Sequence, residues 1–172
     1  MDWKEELDAI IGARHGGASD VLLKRLRELD ARHPNVPEIQ SQIAWTCEML
    51  GKCEESLAAY DRAMALGLPP NEHAGAIIGS ASCLLYLHRF EKAEALLASA
   101  RVQFPNLREF EAFHALALQS CGRGAEAMQI LLVLLAETSE DPGIAAYQRS
   151  LRHLAANLVA LQTPSPTSHP HA

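Results

Sequence analysis

Four cysteines, eight histidines and several adjacent carboxylates are the residues of this chain with chemistry to offer. Their spacing does not assemble any of it. Cys47 and Cys53 form the closest cysteine pair, six residues apart, no CxxC occurs, and no Cys/His cluster has zinc spacing. Cys47, Cys53, Cys83 and Cys121 therefore read as buried free thiols. His114 falls at a core-facing position and is expected as a hydrogen-bonded internal histidine. His169 and His171 sit among prolines and serines, where they read as spacer. Gly51-Lys52 lacks the upstream glycine of a phosphate-binding loop, and Gly79-Ser80-Ala81-Ser82 is no nucleophile elbow. Glu5-Glu6 and Glu54-Glu55 are neighbours in helical segments, so their carboxylates splay apart. No catalytic residue, metal site or cofactor follows, and the chain reads as a non-enzyme.

The chain that carries these residues has 172 amino acids, 48% of them hydrophobic but only 5% aromatic. A core of Ala and Leu suits closely packed helices better than sheets. The net charge of -6 gives no basic footprint for nucleic acid or for an anionic membrane surface. No apolar run reaches the roughly 18 residues of a membrane span, and the start, Met1 to Glu6, is charged rather than signal-like. These features predict a cytoplasmic protein, in keeping with reduced cysteines.

A repeat organises the chain. Gly17, Gly51, His88 and Gly122 are each followed by small or apolar residues at helical offsets, and the intervals between them are 34, 37 and 34 residues. The offsets place Ser56, Ala63, Ala93, Ala100 and Ala127 where helix backbones approach closely. Tyr60, Leu97 and Leu131 are expected to fill the gaps between them. Upstream of each break lies a second amphipathic segment, such as Ile43, Ala44, Cys47 and Leu50. Each unit is thus helix A, a turn, then helix B. Gly51 and Gly122 suit left-handed helix stops, Pro37 suits a first turn, and Asn71 and Asn106 are the expected N-caps, with Glu109 completing a capping box on Asn106. Three inserted residues are placed near Pro69–His73.

This 34-residue helix–turn–helix unit resembles the tetratricopeptide repeat. The resemblance implies an all-α fold, an α-α superhelix of antiparallel helix pairs. In that frame one domain covers 1–161, with repeats at 3–36, 37–70, 74–107 and 108–141. A capping helix at 142–161 follows, opened by Asp141-Pro142 and patterned by Ile144, Tyr147, Leu151, Leu154, Leu158 and Leu161. Residues 162–172 read as a disordered tail. Leu131–Ser139 with Asp141-Pro142 and Tyr147, together with Gly67-Leu68-Pro69 and Ala115–Leu118, is similar to a group of small bacterial tetratricopeptide proteins, tetratrico peptide repeat group 5. That group implies a protein-binding scaffold, with self-association suspected.

Helix A carries a second apolar stripe, in which Trp45 and Met49 point away from Ile43 and Cys47. The equivalent positions are Leu7 and Ile11, then Ile78, Leu85 and Tyr86, then Leu116. In tetratricopeptide arrays these positions line the concave face, so the resemblance implies a largely apolar protein-binding groove. Packing against neighbouring helices is the competing account of the same stripe. Lys4, Arg14 and His15 lie at one end of it. Glu38 and Glu48 flank Trp45 and read as a solvated charged face, with a preference for basic partner residues as the alternative. Leu7, Ile11, Ile78 and Glu109 stand where a carboxylate clamp would need Lys, Asn and Arg, which disfavours chaperone C-termini as ligands. The function expected is a scaffold or adaptor that binds an apolar or amphipathic segment, with a homodimer as one form of it. The alternatives are a small chaperone for an amphipathic client and a self-assembling structural module.

Overall fold

The computed structural model describes residues 2–14 and 17–158. His15, the last residues of the predicted capping helix (159–161) and the 162–172 segment with His169 and His171 lie outside the described residues. Among those described there are ten helices and no strand. The chain divides into two compact units, Met1–Leu96 and Leu97–Ala172.

The first unit holds α1 (Trp3–Gly12), α2 (Asp20–Arg32), α3 (Pro37–Met49), α4 (Cys53–Leu66) and α5 (Pro70–Tyr86). The division falls within α6 (Phe90–Gln103). Consecutive helices pack side by side from α1 to α5, and α3 also packs on α5. Between them lies an apolar core that includes Ile10, Leu23, Leu26, Leu29, Ile39, Cys47 and Tyr60. The small positions work as expected: Ser56, Ala63, Ala93, Ala100 and Ala127 are all buried. Ser56 also donates from Oγ to the Ala44 carbonyl at 2.8 Å, tying α4 to α3.

Three A-helices end in one motif. Gly51, His88 and Gly122 have φ of 72°, 55° and 77°. The amide after each reaches back five residues, Lys52 to Cys47 (2.8 Å), Arg89 to Leu84 (2.8 Å) and Arg123 to Leu118 (2.9 Å). This is the Schellman closure, which needs a left-handed residue to turn the chain. His88 adopts that conformation in place of glycine.

The second unit contains α7 (Glu109–Ser120), α8 (Gly124–Thr138), α9 (Pro142–Ala146) and α10 (Gln148–Ala156). Helix α8 packs on α7 and α10. His114 is buried, with Nδ1 2.8 Å from an Arg101 guanidinium nitrogen. Arginine only donates, so Nδ1 accepts.

Several local expectations are corrected. Asn71 is no cap: α5 begins at Pro70, with Pro69 in the cap position and no side-chain bond. The inserted residues form no loop; they lengthen α5 to 17 residues, against 13 in α3. Asn106 caps nothing either, because Leu107 N–H bonds back to Phe104 O at 3.0 Å and α7 starts at Glu109 behind Arg108. The segment after Pro142 is two helices broken at Tyr147, where Tyr147 N–H bonds back to Ile144 O at 3.1 Å in place of the carbonyl four residues back. Tyr147 itself is 68% exposed. Leu131 is 38% exposed and fills no gap.

Candidate functional site

The first unit carries a cleft of about 430 Å³ lined by α1, α3 and α5, with Tyr60 of α4 reaching in from below. The residues lining it recur in the 34-residue register of the A-helices. Lys4, Glu38 and Glu72 share one repeat position, as do Leu7, Ser41 and Gly75, then Asp8, Gln42 and Ala76, then Ile11 and Trp45. One face of three successive A-helices therefore makes the site. The extra residues of α5 fall after this face, so its lining part keeps the register of α1 and α3.

Trp45 forms one wall. The Arg14 guanidinium lies over its indole, with Cζ 4.1 Å from the ring centroid, a geometry in which the cation meets the negative π face. Arg14 also donates to the Gln42 side-chain oxygen. Its Nε is buried without a partner among the described residues, and burial pulls its pKa below the usual value. Behind the cleft, Tyr60 donates from its hydroxyl to Glu48 Oε2 at 2.8 Å. Burial pushes the Glu48 carboxyl above its ordinary range, while that hydrogen bond works in the opposite direction. Burial also raises the Tyr60 phenol, with the Glu48 charge adding to the effect. At the N-terminal ends of the three helices, burial raises the pKa of Glu72, the Glu38 charge adds to the rise and Lys4 opposes it.

Of the residues expected to form a groove, the cleft unites Leu7, Ile11 and Trp45. Leu7 is 5% exposed and belongs mainly to the core, showing only an edge. Ile78 and Leu85 are half-buried on α5 outside the lining, and Met49 and Tyr86 are exposed near helix ends. Leu116 is exposed on α7 in the second unit. The cleft is not largely apolar, since Lys4, Asp8, Arg14, Glu38, Gln42 and Glu72 share its lining. Glu38 faces it, whereas Glu48 turns to Tyr60. Sequence reasoning missed Trp3, Gln42 and Glu72. The signal for Trp3 was present, because Trp3, Leu7 and Ile11 follow at four-residue steps on one helix face. Glu72 was obscured because placing the insertion before Ala74 moved it out of the repeat.

Among the described residues, no group of three or more His, Cys, Asp or Glu is arranged to hold a metal ion. No helix among them is long and apolar enough to cross a membrane. A family model described as tetratrico peptide repeat matches residues 38–158. No curated protein matches the chain.

Proposed function

The chain belongs to the tetratricopeptide repeat family, a fold of protein–protein interaction, and from that premise we propose that its α1–α3–α5 cleft binds an amphipathic segment of a partner protein, with no catalytic role. The single observation behind this reading is the recurrence of lining positions 4/38/72, 7/41/75 and 8/42/76 on three A-helices. A face repeated in this way presents a graded strip suited to a partner's helix or extended chain. Trp45 is its natural anchor, since a rigid aromatic gives much contact area at little entropic cost. The test is affinity capture from the native cell with the wild-type chain and with Trp45→Ala, each checked for folding by circular dichroism. Loss of the captured protein from the folded variant supports the reading; an unchanged catch rejects it.

A second reading, self-association, draws on a different feature. Met128, Leu131 and Leu135 are 49%, 38% and 42% exposed on one face of α8, a stripe at the spacing helices use to pair. Light scattering at tens of micromolar decides it: a monomeric mass rejects this reading.

A further inference from the structure

The carboxylates of the first unit are treated in two ways. On its outer surface Glu6, Glu54 and Glu55 are each paired with an arginine, namely Arg32, Arg89 and Arg27. Inside the cleft, Glu38 and Glu72 are half-buried, yet among the described residues neither makes a hydrogen bond or an ion pair. They project from repeat-equivalent positions on α3 and α5, two helices that pack directly together. Like charges held close in partly desolvated surroundings are unfavourable until a cation joins them. The cleft's own cations do not meet that need. Arg14 lies over Trp45 and bonds to Gln42, not to either carboxylate, and Lys4 is exposed and attracts Glu72 only from beyond ion-pair distance. Apolar surface from Ile11 and Trp45 adjoins the two acids within the same cleft.

We infer that the cleft selects a partner segment that brings a lysine or arginine to Glu38 and Glu72 and an apolar side chain onto Ile11 and Trp45. This rests on the cleft being the binding site, and it adds the sign of the partner's charge. Charge complementarity of this kind governs which partners are accepted and how fast they dock. An acidic amphipathic segment meets two unpaired carboxylates and is rejected.

The chain supplies its own reporter, because its two tryptophans, Trp3 and Trp45, both line this cleft. Two capped synthetic peptides of equal length serve as probes, one built from leucine and lysine, the other from leucine and glutamate in the same pattern. Intrinsic tryptophan emission is followed as each is added to the full chain. The lysine peptide is expected to shift the emission saturably, at least about tenfold more tightly than the glutamate peptide. In Glu38→Gln/Glu72→Gln the preference is expected to vanish, and far-UV circular dichroism confirms that this variant is folded. If the glutamate peptide binds as well as the lysine peptide to the wild type, charge selection is wrong while the cleft remains a binding site. Retention of the preference in the folded double variant overturns the inference in the same way. If neither peptide alters the emission, the cleft is not the binding site and both ideas fall. An emission change driven by protein concentration alone assigns the cleft to a second copy and likewise overturns the inference.

Discussion

Tyr60 lies against the backbone of α5 at Gly79, so closely that a Cβ added to Gly79 would stand 2.5 Å from Tyr60 Cζ. The contact explains a glycine in the middle of a long helix, where it costs about 1 kcal/mol relative to alanine. Tyr60 is buried and its hydroxyl is held by Glu48, so the ring has nowhere to retreat. Gly79→Ala is expected to destabilise the protein by about 1–3 kcal/mol despite its better helix propensity. Gly75, on the same helix, has open space where a methyl group would go, with no atom within 4 Å, so Gly75→Ala is expected to stabilise by about 0.5–1 kcal/mol. Urea unfolding midpoints for the two variants check the pair. Equal effects at both positions would disprove the steric account.

Much of this architecture is written in the sequence because a repeat states the same instruction several times. The glycine stops at Gly51 and Gly122 show where the A-helices end, and their spacing exposes His88 as the third member. Small residues at Ser56, Ala63 and Ala93 mark the close helix contacts for the same reason. The misses lie where the repeat breaks. Three extra residues are absorbed into a helix or a loop with nearly the same local signals, and here they extend the C-terminal end of α5, which runs on to Tyr86. Tyr147 carries a helical pattern on both sides, so the break between α9 and α10 has no local signal in the sequence. The polar character of the cleft was hidden for a further reason. Hydrophobic periodicity finds the stripe of Trp45 and Ile11, but it cannot tell which glutamates turn toward that stripe and which pair with arginines outside it.

The Glu48–Tyr60 hydrogen bond gives a pH signature. Burial raises the folded-state pKa of Glu48 above its ordinary value of 4.5, so the folded protein binds this proton more tightly than the unfolded chain does. Stability from this group is therefore greatest at acidic pH and falls as pH rises from the ordinary value through the raised one. Glu48→Gln keeps an acceptor for the Tyr60 hydroxyl and removes the charge. The variant is expected to melt at a higher temperature than wild type at pH 7, with the difference closing below the ordinary carboxylate range. A gap that is the same at pH 4 and pH 7 would exclude this linkage.

The cysteines differ in accessibility and in acidity. Cys47, Cys53 and Cys83 are buried, while Cys121 is partly open. Burial raises the Cys47 thiol and pushes Cys83 up to about 12. The thiolate is the reactive form, so these two are protected both by access and by protonation. Ellman's reagent at pH 8 is expected to find one fast thiol in the native protein and four in denaturant. Cys121→Ser is expected to abolish the fast phase. A fast phase that survives this substitution would place the reactive thiol in the first unit.

His88 offers the clearest route to a more stable chain. It holds φ of 55° in a helix stop where Gly51 and Gly122 hold nearly the same angle. For a residue with a Cβ, the left-handed region costs roughly 1–2 kcal/mol, because the Cβ crowds the following carbonyl oxygen. Against this, the imidazole sits edge-on to Phe90, with ring centroids 5.5 Å apart, a contact worth about 0.5–1.5 kcal/mol when buried. His88 is exposed, so the lower part of that range applies and the backbone term wins. His88→Gly is therefore expected to stabilise by about 0.5–1 kcal/mol after the added freedom of glycine in the unfolded chain is deducted. His88→Ala separates the two contributions, since it loses the aromatic contact and keeps the Cβ; it is expected to be less stable than wild type. Chemical unfolding of the three proteins decides the matter. If alanine proves as stable as glycine at this position, the left-handed backbone carries no penalty here and the expected gain from His88→Gly fails.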